Sequence, residues 1–141
     1  MKSRICLIVS AIILILSSLG CSSQQPLSFE IGHDEFIKDK HFTWATNVDI
    51  GETIVITLAS NPTTGFTWPD IAQISNQDIV EQTDHNFLSP DQMAATGTSG
   101  KDVWKFKTIG KGTTTIRMDY NQPWDGGEKS EWSLVATITV E

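Results

Sequence analysis

The sequence has little cysteine, and both copies, Cys6 and Cys21, lie within the first 21 of 141 residues. With the leading segment removed and Cys21 modified, the rest holds no thiol nucleophile and no disulfide, so stability must come from the core alone. Basic residues are also scarce, ten against seventeen acidic ones. That deficit excludes a phosphate-tracking surface, which needs clustered Lys and Arg, and with it a nucleic-acid partner. It argues equally against a polybasic contact with anionic lipid. Histidine is sparse: His33, His41 and His85 fit no H-E-x-x-H or comparable ligand spacing. Asp34 and Glu35 beside His33 read as a solvated charged turn rather than a metal site. No G-x-S-x-G and no phosphate-cradling loop occurs. The expectation is a protein that is not an enzyme and uses no metal or cofactor.

Long apolar runs are missing except at the start. Lys2 and Arg4 precede the apolar run Ile5 to Leu16, and Ser17, Ser18, Leu19 and Gly20 lead to Cys21. This is the order of a secretory signal peptide, and the run is shorter than the roughly 20 residues a membrane span needs. The Gly20-Cys21 pair resembles the bacterial lipobox, with Ser18 where that pattern prefers Leu. The resemblance implies a lipid on Cys21 as the new N-terminus and a membrane anchor, in the periplasm or at the cell surface. Residues 1–20 are then a signal peptide, 21–26 a polar tether, and 27–141 one domain, long enough for a core of its own. Loss of Lys2 and Arg4 leaves eight basic against seventeen acidic residues, a net charge of −9, which favours a soluble monomer.

What the domain does contain is period-two alternation, the signature of a half-buried strand. Ile54, Ile56 and Leu58 alternate with Val55 and Thr57; Trp104 and Phe106 with Lys105 and Lys107; Ile116, Met118 and Tyr120 with Thr115, Arg117 and Asp119. Trp132, Leu134, Ala136, Ile138 and Val140 form the longest such series. Turn residues at Asp49–Glu52, Gly110–Gly112 and Gly126–Gly127 separate the segments. Helical periodicity is nearly absent. The pattern predicts an all-β sandwich or barrel. Lys105 and Lys107 suggest an exposed strand edge. Within 69–95, Ile79-Val80 and Phe87-Leu88 are candidate short strands.

Three segments stand outside the alternation. Asn61-Pro62-Thr63-Thr64-Gly65-Phe66-Thr67-Trp68 lies between one strand ending near Ser60 and another expected to begin near Phe66. Pro62 fixes φ and pushes Asn61 toward extended geometry. Asn61 can brace the turn through its side chain, and Gly65 can take positive φ or admit a close neighbour. The residues alone leave two readings open, a sandwich corner or a stiff loop that presents Thr63 and Thr64. The second segment, Met93 to Gly100, is small and nearly uncharged. The third, Asn121 to Gly127, carries Trp124 between Pro123 and a Gly pair, as interface hot spots often do.

Asn61-Pro62-Thr63-Thr64-Gly65-Phe66 is similar to the signature loop of the chagasin family of cysteine-peptidase inhibitors. Gly97-Thr98-Ser99-Gly100 resembles that family's second, Gly-rich loop, and Pro123-Trp124 the end of its Arg-Pro-Trp motif. The three occur in family order, and the similarity runs from about Gly51 to Val140. It implies an immunoglobulin-like β-sandwich whose three loops cluster at one end and enter the cleft of a papain-like peptidase. Thr63 and Thr64 would then lie nearest the catalytic cysteine, Gly97 to Gly100 along one wall, and Trp124 on the other. Gln122 stands where the family has Arg, which removes a charge and a planar fork. The rival reading is a surface-anchored adhesin or carbohydrate-binding module. It would use Trp44, Trp68, Trp104 and Trp132 as stacking platforms. Alternation assigns Trp104 and Trp132 to the core and the loop places Trp68 beneath itself, while Trp44 stays open.

Overall fold

In the structure, a computed structural model, residues 25–91 and 98–141 are described. Cys21, the leading segment and Gly97 lie outside them. Among the described residues, eight strands form two four-stranded sheets. The first has the order β1 (Leu27–Ile31), β3 (Thr53–Ser60), β6 (Gly100–Thr108), β5 (Val80–Leu88). The second has the order β2 (His41–Val48), β8 (Trp132–Val140), β7 (Gly112–Tyr120), β4 (Gln73–Ile74). The pairs β1–β3 and β2–β8 are parallel and the rest antiparallel. This is the sandwich that the alternation predicts.

The core lies between the sheets and is built from the alternating residues. Ile54, Ile56, Leu58, Trp104, Phe106, Ile116, Met118, Leu134, Ala136 and Ile138 are all fully buried. A buried Ile, Leu, Met or Phe side chain contributes about 1.5–3 kcal/mol, so this series is a large part of the drive to fold. At the open margin, Phe29 of β1 stacks on Trp44 of β2, centroids 4.5 Å apart and rings 9° from parallel. That stack assigns Trp44 to packing across the gap between the two sheets.

Several sequence expectations need correction. β6 lies inside its sheet, between β3 and β5, so Lys105 and Lys107 guard no edge. Their ammonium groups instead reach Asp84 of the neighbouring strand, at 3.1 Å, and the carbonyl of Gly51. Residues 80–88 make one nine-residue strand rather than two short ones. Its alternation is blurred by a register shift between Gln82 and Asp84. No strand starts at Phe66; a single bridge joins Thr67 to Asn121 before the short β4. Asp34 and Glu35 lie not in a turn but in a six-residue helix, α1 (His33–Lys38), too short to register as a period.

Candidate functional site

Chain topology brings the three segments to one end of the sandwich. β3 ends there at Ser60, paired with Gly100 at the start of β6. β7 ends there at Tyr120, paired with Trp132 at the start of β8. α1 is there too, because it carries the chain from the end of β1 to the start of β2, from one sheet to the other.

The first loop is held from below and braced within. The Asn61 amide donates to the Tyr120 hydroxyl at 2.8 Å. Pro62–Thr64 form one 3-10 turn, in which the Thr64 amide donates to the Asn61 carbonyl at 3.1 Å and the Gly65 amide to that of Pro62 at 3.0 Å. The Thr64 hydroxyl donates to the same Asn61 carbonyl at 2.7 Å, and that of Thr63 to the Asn61 side chain at 2.6 Å. Asn61 thus steadies the turn through Thr63 as well as through the backbone. Phe66 stacks on Tyr120, and the buried Trp68 beneath donates its indole N–H to the Ala59 carbonyl at 2.9 Å. Pro62, Thr63 and Thr64 remain exposed at the tip.

Gly65 has φ of +84°, a value that side chains disfavour. A Cβ there would also lie 2.7 Å from Cη2 of Trp124. The third loop therefore lays its tryptophan on the first loop's glycine. Trp124 is still 50% exposed, so it is neither core nor a free flag. The rest of that loop is tied to Gln122. Its side-chain oxygen accepts from the Glu128 amide at 2.9 Å, its amide donates to the Glu128 carbonyl at 2.8 Å, and its carbonyl accepts from Lys129. An Arg at this position has donors only and cannot accept from Glu128, so the departure from the family's Arg supplies an internal brace. Pro123 precedes the tryptophan at the exposed turn.

Of the second segment, Thr98 is exposed, Ser99 half-buried and Gly100 buried. Gly100 presents no surface of its own; a Cβ there would meet the Leu88 carbonyl at 2.5 Å and the Phe87 ring at 2.6 Å, so the glycine lets β5 approach. Thr98 and Ser99 face Gly32 and His33 across a hollow of about 300 Å³.

One ion pair fastens the base of the third loop. Lys40, just before β2, donates to Glu131 at 2.5 Å, and this bond lowers the Glu131 carboxyl below its usual range. Among the described residues no cluster of His, Cys, Asp and Glu is arranged to hold a metal ion. Trp68, Trp104 and Trp132 are buried and Trp44 is stacked, so these four form no exposed platform for sugars. Sequence reasoning passed over α1, whose Phe36 is fully buried and stacks on Trp132, centroids 4.7 Å apart. The only sequence hint of it was Phe36-Ile37 amid charged neighbours.

The braced threonine turn and the tryptophan laid against it form one surface at the loop-bearing end of the sandwich. Residues 47–140 match the family described as Chagasin family peptidase inhibitor I42. The chain belongs to that family, one of peptidase inhibitors and not of enzymes. It is 28% identical over 107 residues to Amoebiasin-2 of Entamoeba histolytica, covering 73% of this chain and 80% of that protein. It is 30% identical over 81 residues to Chagasin of Trypanosoma cruzi, covering 56% of this chain and 73% of that protein. The fold matches a crystal structure of the cysteine protease inhibitor EhICP2 from Entamoeba histolytica. The TM-score is 0.60 at 22% identity, over 82% of this chain and 96% of that one. It also matches PbICP-C, solved in complex with falcipain-2, with a TM-score of 0.59 at 18% identity, over 82% and 99% of the two chains.

Proposed function

We propose that this protein is a tight, reversible, noncovalent inhibitor of papain-like cysteine peptidases, which fills the active-site cleft with the three loops. Family membership supports the class. The observation that carries the mechanism is the seating of Trp124 on Gly65, which makes the first and third loops one surface. Asn61, Pro62, Gly65 and Phe66 are the frame that holds Thr63 and Thr64 toward the catalytic cysteine. Thr98 and Ser99 border one wall of the cleft, with Gly100 buried beneath them, and the motif assigns Gly97 to the same wall. Trp124, set by Gln122 and Pro123, packs on the other.

A loop that enters a peptidase cleft survives only if no carbonyl sits where the thiolate can attack it with oxyanion support. In the turn, the Asn61 and Pro62 carbonyls are already engaged by amides inside the loop. A braced turn also loses little conformational entropy on binding. Three loops on one scaffold suit an interface of about 1,600 Å² in total. Export with a lipid on Cys21, facing the periplasm or the cell surface, is part of the same reading. It rests on the residue order from Lys2 to Cys21.

The test is titration of active papain with the purified protein. Stoichiometric loss of activity at nanomolar concentration, with uncleaved protein recovered from the complex, is the expected result. Full papain activity at micromolar protein, or prompt cleavage between Asn61 and Phe66, would overturn the proposal.

A further inference from the structure

Seven large apolar side chains are exposed among the described residues, and four of them, Ile37, Phe87, Leu88 and Trp124, lie at the loop-bearing end. Trp124 belongs to the third loop, and Phe87 and Leu88 adjoin the second. Ile37 belongs to α1, which lies before residue 47, where the family match begins. Ile37 is 65% exposed, although the next residue inward, Phe36, is fully buried. The helix is thus anchored by one apolar residue while its neighbour is turned out to water.

The position of Ile37 gives that exposure a direction. It borders a pocket of about 210 Å³ whose other walls include Thr64, Phe66, Tyr120 and Trp132. Thr64 is the tip of the first loop, so whatever meets Thr64 comes within reach of Ile37. At its other end α1 faces the second loop across the hollow between His33 and Ser99. The helix therefore borders two of the three loops. His33 is held there by an edge-on contact with Trp132, centroids 5.8 Å apart.

We infer that α1 is a fourth contact element of the inhibitor. Ile37 and the pocket beside Thr64 would receive a non-polar side chain from the rim of the peptidase's cleft. The inference rests on the reading that the loop end binds such a peptidase. Within that reading, the pocket is continuous with the surface that the Asn61–Phe66 turn presents. Burying Ile37 and the pocket walls would add apolar area at the margin of the interface, where water is otherwise retained. Because α1 stands at the margin of the three loops, it would set this inhibitor's choice among related peptidases more than its capacity to inhibit.

The experiment compares inhibition constants for papain between the unaltered protein, Ile37→Glu and Ile109→Glu. Ile109 is 44% exposed at the opposite end of the sandwich and serves as the control. Thermal unfolding of all three checks that the fold is kept, and Ile37→Ala repeats the test without adding a charge. The expected result is a constant raised about tenfold or more for Ile37→Glu, equivalent to about 1.4 kcal/mol. A smaller rise is expected for Ile37→Ala, and a change within about twofold for Ile109→Glu. Equal inhibition by all variants, with the unaltered protein potent, would overturn the fourth contact and leave the three-loop reading intact. No inhibition by the unaltered protein would overturn both.

Discussion

The two ends of this sandwich share one core but solve different problems. At the end away from the loops, the chain turns tightly and satisfies itself. The Thr108 hydroxyl donates to the Asp49 carbonyl at 2.7 Å and accepts from the Glu52 amide at 2.9 Å, while the Gly51 amide donates to the Thr108 carbonyl at 2.9 Å. At the loop end the connections are longer, and Thr63, Thr64, an indole and Ile37 remain exposed. The first and third loops are nonetheless well bonded. Asn61, Tyr120 and Gln122 fix the backbone of those two loops, as Thr108 fixes the turn at the other end. The difference lies in what is left over once the backbone is satisfied. The far end leaves Ile50 and Ile109 exposed beside its turns, and the loop end displays more apolar surface and the threonine tip on a stiff frame, which limits the ordering cost of binding.

That contrast predicts that variants at the two ends separate binding from stability. The larger effect belongs to Trp124→Ala. It should weaken papain inhibition by about 2 kcal/mol or more, roughly thirtyfold, as truncation of a hot spot does. Its unfolding temperature should stay close to the unaltered value, because the ring is half exposed. A collapse of stability with little change in the inhibition constant would erase the contrast by making Trp124 structural. The smaller effect belongs to Thr108→Val. It removes the hydroxyl that accepts from the Glu52 amide and donates to the Asp49 carbonyl, and should cost about 1–2 kcal/mol of stability in denaturant unfolding. Inhibition by the folded fraction should be unchanged. A matching loss of inhibition would mean that the two ends communicate through the core.

Much of this was legible in the sequence, for identifiable reasons. The strands around Ile56, Phe106, Met118 and Leu134 each bury one face and wet the other, so their alternation is regular. The threonine turn was legible because Pro62 and Gly65 each restrict the backbone in a recognisable way. Other features were hidden. β5 carries mostly polar residues and a register shift, so its length could not be read. α1 has six residues, fewer than two turns, and its fit depends on Trp132, almost a hundred positions later. The seat of Trp124 on Gly65 joins two loops that are about sixty residues apart in the chain. The glycine betrayed its own backbone freedom but not which ring would use the space. Gln122 keeps hydrogen-bonding capacity where the family has Arg, but its partner within the loop could not be read from the sequence. In the structure the glutamine accepts the Glu128 amide.

The central claim is that the turn at Thr63 and Thr64 occupies a cysteine peptidase's cleft at the place of the nucleophile. The most direct measurement is the inhibition constant of Thr64→Trp against papain, with the variant's fold checked by its unfolding curve. Thr64 is exposed and bears no core load, so a bulky ring there should leave folding intact and raise the constant at least about tenfold, or about 1.4 kcal/mol. A folded Thr64→Trp variant that inhibits as well as the unaltered protein would contradict the account.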